Sequence, residues 1–143
     1  MNASAQTPFE ILGEAGIRDL TSAFYDIMDR LPEAAALRAM HAQDLEPMKD
    51  KLAEYLIGWM GGPPLYAARY GSVCMTEPHE PFHIGPEERD MWLHCMDLAL
   101  LEIGASATLI DMLKVPLFRI ADAVRNKEGP SSAATDPNII AAG

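Results

Sequence analysis

Apolar side chains recur at three- and four-residue steps in four separate stretches of the chain, and each stretch predicts an amphipathic helix. Between Gly16 and Leu31 the stripe is Ile17, Leu20, Phe24, Met28 and Leu31, with Ile27 beside them. Pro32 opens a short Ala-rich helical turn through Met40. Asp44 or Pro47 then starts a second main helix, on which Met48, Leu52, Tyr55, Leu56 and Trp59 repeat the spacing. Gly61-Gly62-Pro63-Pro64 ends it, because two glycines and two prolines cannot continue a helix. From Leu65 to Pro86 the periodicity fails while Gly71, Pro78, Pro81, Gly85 and Pro86 accumulate. A long irregular segment with one or two helical turns is expected there, and such segments inside compact domains tend to carry function.

Pro86, followed by Glu87, Glu88 and Asp90, begins a third helix with acidic residues favourably placed against its dipole; Trp92, Cys95, Met96, Ala99 and Ile103 form its inner face. Ser106 or Thr108 caps a fourth, with Ile110, Leu113, Leu117, Ile120 and Val124 inward and Pro116 expected to kink or loosen its middle. No segment alternates with period two and no internal repeat occurs. The expected fold is all-α, four main helices paired as two hairpins with the irregular loop between the pairs. A plain bundle would satisfy the same pattern, so the fold alone does not reach function.

Composition narrows the setting. A chain of 143 residues, 49% apolar and 22% charged, suits one domain with one core. Eleven Lys and Arg against 21 Asp and Glu give a net charge of −10, the wrong sign for tracking nucleic acid or an anionic membrane. Two cysteines, Cys74 and Cys95, make neither C-x-x-C nor C-x-x-C-H, so neither a disulfide scaffold nor covalently tethered haem is indicated. Met1 to Pro8 lacks a basic region followed by an apolar run, and no stretch approaches the ~18 apolar residues of a membrane span. A cytoplasmic protein without membrane attachment is expected.

Of the four histidines, His41, His79, His83 and His94, the informative one is His79, whose flanking Pro78 and Pro81 restrict the backbone between two helices. An imidazole so held suits a metal or haem-iron ligand; a surface loop histidine is the plainer alternative. Cys74, His79, His83 and Cys95 offer a loose zinc spacing, weakened by Pro81 between the histidines and by Cys95 on a predicted buried face. A di-iron bundle needs two E-x-x-H motifs, and only Glu80 to His83 matches. Phosphate-loop and hydrolase motifs are missing. Tyr25 and Trp92 sit on inward faces, where a phenol or indole requires a hydrogen-bond partner.

Taken in order, Ala23-Phe24-Tyr25, Trp59-Met60-Gly61-Gly62-Pro63-Pro64-Leu65-Tyr66, His79-Glu80-Pro81-Phe82-His83-Ile84 and Glu88-Arg89-Asp90-Met91-Trp92-Leu93-His94-Cys95-Met96 resemble the group II truncated haemoglobins. The resemblance covers Phe9 to about Val124. It implies a two-over-two α-helical globin sandwich; with it the domain is expected over residues 9–127, after a flexible extension at 1–8 and before a tail at 128–143 whose small, polar, Pro- and Gly-containing composition predicts disorder. It further implies a non-covalent haem b with His79 as the iron ligand and Phe82 in the same cofactor-binding motif. Tyr25 and Trp92 would hydrogen-bond a diatomic ligand, O2, NO or CO. His41 would fall where the family usually has Phe or Tyr, and Met48 and Leu52 would face the ligand.

One stretch departs from the family. Where the pattern resembles G-H-P-x-L-R-x-R-H, this chain reads Gly71-Ser72-Val73-Cys74-Met75-Thr76-Glu77-Pro78-His79, without either arginine or the first histidine. Those basic groups lie near haem propionates, so Tyr66, Arg69 and Lys51 become the candidate substitutes. The resemblance also allows NO detoxification or peroxide-linked redox chemistry, each requiring an unidentified electron donor. The rivals are a gas or redox sensor without turnover, and a haem-less divergent globin acting as an interaction domain. Monomer and homodimer are both compatible with the sequence.

Overall fold

The first helix begins with a reciprocal cap. The Thr7 hydroxyl accepts from the Glu10 amide at 3.1 Å while the Glu10 carboxylate accepts from the Thr7 amide at 2.8 Å. Pro8 occupies the first turn, where a missing N–H costs nothing. In the computed structural model, which describes residues 7–71 and 84–123, helix α1 accordingly runs Pro8–Arg30. The apolar stripe predicts a start only near Gly16, and the difference has a visible cause. Gly13, at φ 74° and ψ 171°, breaks the helical register, so the stripe downstream does not extend through it. The upstream piece is anchored elsewhere: the Phe9 amide donates to the Met60 carbonyl at 3.0 Å. A Cβ on Gly62 would stand 2.6 Å from the Phe9 ring, so only glycine lets the two segments meet this closely.

A 3₁₀ turn at Pro32–Ala34 leads into α2, Ala35–Ala39. Helix α3, Glu46–Trp59, has the Asp44 carboxylate accepting from the Glu46 amide at 3.0 Å, and the short α4, Leu65–Tyr70, supplies the helical turns expected after the Gly-Gly-Pro-Pro stop. Helix α5, Pro86–Glu102, has the Glu88 carboxylate accepting from the Gly85 amide at 2.9 Å. Helix α6, Ala107–Ala123, is capped by Ser106 and continues through Pro116. No strand occurs among the described residues.

Helix α1 lies at the centre, packed on α3 and on α5; α5 packs in turn on α6, and α4 on α3. The α1/α3 and α5/α6 pairs are the two layers of a two-over-two sandwich. Their shared core holds Ile17, Leu20, Phe24, Ile27 and Met28 from α1 with Leu56, Met96, Leu100, Leu109 and Leu113, each almost completely buried. Burial of each large side chain contributes about 1.5–3 kcal/mol. Cys95 belongs to this core, and burial, with Glu33 nearby, pushes its thiol up to about 11. Fully buried among core side chains, it packs as a neutral thiol. The other three members of the zinc reading, Cys74, His79 and His83, lie outside the described residues. Among those described, no group of three or more His, Cys, Asp or Glu could hold a metal ion.

Candidate functional site

Only Leu56 of the five residues read as one stripe on α3 is fully buried. Ala53, Ile57 and Met60 complete the face turned to the core, whereas Met48, Leu52 and Tyr55 turn toward a cavity of about 370 Å³. That volume falls in the range of small-molecule and cofactor sites. Leu37, Met40, Met48, Leu52, Ile84 and Ile120 supply much of its apolar wall. The polar side chains that reach it are Tyr25 from α1, His41 from the α2–α3 connection, Lys51 and Tyr55 from α3, Tyr66 from α4, and Glu88, Arg89 and Trp92 from α5.

Three of these residues form one aromatic run with the core. The Phe24 ring meets Trp92 edge-on at 5.1 Å and Tyr25 at 4.9 Å, and Tyr25 meets His41 at 5.8 Å. Tyr25 is 5% exposed, and its hydroxyl makes no hydrogen bond among the described residues. Burial pushes that hydroxyl well above the usual phenol range, so it stays an O–H donor. The indole N–H of Trp92, half-buried, likewise has no acceptor among the described residues. His41 differs, because its Nδ1 lies 2.9 Å from the Leu37 carbonyl. A carbonyl only accepts, so Nδ1 carries the proton.

The cationic side is equally specific. Lys51 lines the cavity with its Nζ 5.1 Å from the centre of the Tyr70 ring, and it has no ion pair among the described residues. The Tyr66 ring, buried and also lining the cavity, touches both Tyr55 and Tyr70. Arg69 does not reach the cavity: its guanidinium donates to Glu54 at 2.8 Å and is largely exposed. Arg89 does line it, yet donates to both Asp90 and Asp122.

The structure thus brings together Tyr25, His41, Met48, Lys51, Leu52, Tyr66 and Trp92 around one space and leaves Arg69 outside. His79 and Phe82 lie outside the described residues. Sequence reasoning missed Leu37, Met40, Tyr55, Glu88, Arg89 and Ile120 as lining. Tyr55, at i+3 from Leu52, carried a usable signal; Glu88 and Arg89 were hidden in what reads as an ordinary charged helix start.

Residues 7–126 match the family described as bacterial-like globin. Over 113 residues, 79% of this chain and 83% of the other, the sequence is 31% identical to the group 2 truncated hemoglobin YjbI of Bacillus subtilis. The chain belongs to the group 2 truncated haemoglobins. Among solved structures, this globin is similar to the group II 2-on-2 hemoglobin of the plant pathogen Agrobacterium tumefaciens, with a TM-score of 0.82 and 40% identity. That match covers 90% of this chain and 100% of the other. A truncated oxygen-avid haemoglobin from Bacillus subtilis matches with a TM-score of 0.78 and 30% identity, over 85% of this chain and 100% of that one.

Membership implies haem binding, and the cavity of this globin fits such a group. Its wall is mainly apolar, as a flat macrocycle requires; its lysine, without an ion pair among the described residues, suits a carboxylate; and its buried Tyr25 hydroxyl, without an acceptor among the described residues, is a donor that a ligand would satisfy. No described helix is long and apolar enough to cross a membrane.

Proposed function

We propose that this globin holds haem b without covalent attachment and binds diatomic ligands, O2, NO or CO, beside Tyr25 and Trp92. The observation that carries the reading is a pair of donors, one O–H and one N–H, facing a single apolar cavity with no acceptor of their own among the described residues. Haem in that cavity supplies an iron able to take a small gas. The chain's own part is to exclude water with Met48, Leu52 and Leu37 and to aim two donors at a ligand that gains negative charge as it binds. Lys51 and Tyr66 support the carboxylate edge of the macrocycle in place of the basic residues missing before His79. The resemblance in the His79-to-Ile84 motif, rather than the cavity, is what points to His79 as the residue that would ligate the iron. Similarity to a relative described as oxygen-avid supports O2 among the ligands.

Absorption spectra of the ferric, ferrous and ferrous-CO forms test the proposal. A Soret band that shifts on reduction and again with CO is expected; its absence after reconstitution with haem would leave the haem-less interaction domain. His79→Gly should lose normal ligation and most haem affinity, with free imidazole restoring the ferrous spectrum. An unchanged spectrum in His79→Gly removes that residue from the iron. NO or peroxide consumption in the presence of a reductant would extend the reading from binding to turnover.

A further inference from the structure

Three tyrosine rings run from the wall of the cavity to the surface. Tyr55 from α3 and Tyr66 from α4 both line the cavity, and their rings meet edge-on with centres 5.6 Å apart. Tyr70, one helical turn after Tyr66, brings its ring centre to 4.6 Å from that of Tyr66. Burial changes sharply along this run: Tyr66 is 7% exposed and Tyr70 is 47% exposed. Packing alone asks for no hydroxyl at these positions, since a phenylalanine ring offers the same apolar contact. A phenol differs from a benzene ring in its redox chemistry, because it can release its O–H proton as it loses an electron and so ends as a neutral radical.

Haem in the cavity would leave any organic reductant outside it. Ring contact gives electrons another way in, because they cross between π-systems in contact far more readily than across the same thickness of water. The outer end of the run has its own electrostatics. The Lys51 ammonium, 5.1 Å from the centre of the Tyr70 ring, opposes positive charge on that ring, so the proton leaves Tyr70 together with the electron. On a chain with a net charge of −10, that ammonium also favours neutral and anionic donors at this spot over cationic ones.

We propose that Tyr66 and Tyr70 form an electron relay through which small phenols, oxidised at the surface beside Tyr70, reduce hydrogen peroxide at the haem. The relay rests on haem binding in this cavity. Each passage moves one electron. Tyr66 gives an electron to the haem and its O–H bond breaks, the proton lost being matched by one taken up by the peroxide oxygen. Tyr70 then gives an electron to Tyr66, whose O–H bond re-forms as that of Tyr70 breaks. An external phenol restores Tyr70 in the same way and leaves as a phenoxyl radical. Two passages deliver the two electrons and two protons with which one peroxide, its O–O bond broken, becomes two water molecules.

Spin trapping on the full, haem-loaded chain tests the relay with a readout other than turnover. Ferric protein is treated with hydrogen peroxide in the presence of a nitroso spin trap, and peptide mass spectrometry finds the tyrosine that carries the adduct. The wild type should carry it at Tyr70, and guaiacol, a neutral phenol, should suppress it by reducing Tyr70 first. The haem-free chain should carry none. Tyr70→Phe, at an exposed position outside the cavity wall, should move the adduct to Tyr66 and lower guaiacol oxidation without slowing the reaction of the haem with peroxide. Tyr66→Phe, compared at equal Soret absorbance, should lose the adduct at Tyr70. An adduct at Tyr70 that survives Tyr66→Phe, or that forms without haem, overturns the relay. So does a loaded protein that leaves peroxide intact, or guaiacol oxidation unchanged in Tyr70→Phe. A chain with no Soret band after haem addition removes the proposed function and the relay together, whereas a Soret band with no adduct at Tyr70 removes the relay alone.

Discussion

Tyr25 carries a conflict between stability and ligand binding. A buried hydroxyl without a partner among the described residues costs free energy in the protein alone, and under the proposed function the same hydroxyl is the donor a bound ligand would use. Tyr25→Phe is therefore expected to raise the stability of the haem-free chain by about 1 kcal/mol in urea unfolding. In the haem-loaded protein the same change should speed O2 release by about ten- to a hundredfold, the worth of one hydrogen bond to a polarised group. Trp92→Phe should match it in stopped-flow release. A Tyr25→Phe variant that unfolds more easily would show that the hydroxyl has a protein partner after all. His41 has a predicted sign as well. With its proton on Nδ1 and directed at Leu37, the neutral ring offers only a lone pair at Nε2, and protonation turns that atom into a donor. A protonated His41 should then hold the ligand longer than a neutral one, and His41→Phe should remove any difference between ligand release in acid and in neutral solution. Identical profiles would leave His41 as an aromatic wall of the cavity.

At the scale of elements, Gly62 gives the sharpest test. Gly62→Ala places a methyl 2.6 Å from the Phe9 ring, and relief means lifting the Thr7 to Leu12 segment off the end of α3. The expected loss is about 1–3 kcal/mol of stability, with increased proteolysis before Gly13. A variant as stable and protease-resistant as wild type would contradict the packing described. This element also shows why part of the fold was illegible in the sequence. Apolar periodicity located α1 from Ile17 onward because those residues all face one core. It could not reveal the capped turns at Pro8, whose local signal is the Thr7-to-Glu10 capping box and whose anchorage is the space left by two glycines some fifty residues away. Periodicity predicts helix α3 correctly but not its two roles, since the stripe serves two partners: Leu56 packs in the core, while Met48, Leu52 and Tyr55 meet the cavity. A cofactor space looks like core when only hydrophobicity is counted. Lys51 and Arg69 are equal candidates in sequence; in the structure Lys51 lines the cavity, whereas Arg69 is held outside it by Glu54.

Over the whole molecule, the core that frames the cavity contains groups that resist ionisation, and this fixes the direction of its alkaline response. The Cys95 thiol moves from 9.0 to about 11, mainly through burial, and Tyr25 rises above its ordinary 10.0 for the same reason. Below pH 9 both thiol and phenol keep their protons in the folded and unfolded states, so neither contributes a pH dependence. Between pH 9 and about 11 the unfolded chain releases the Cys95 proton while the folded chain retains it. The unfolded state is thereby favoured, and stability declines as pH rises, by at most about 1.4 kcal/mol per unit for one group. Tyr25 adds its share from about pH 10 upward. Growing negative charge on an already acidic chain also weakens the fold, but it does so in every variant alike. Comparing slopes rather than absolute stabilities removes that background together with the cavity cost of Cys95→Ala. Urea unfolding at pH 8, 9 and 10 should show a shallower decline in Cys95→Ala than in wild type, by up to about 1 kcal/mol over the interval. Parallel declines would mean that the folded chain ionises Cys95 as readily as the unfolded one, and that the centre of the sandwich admits water.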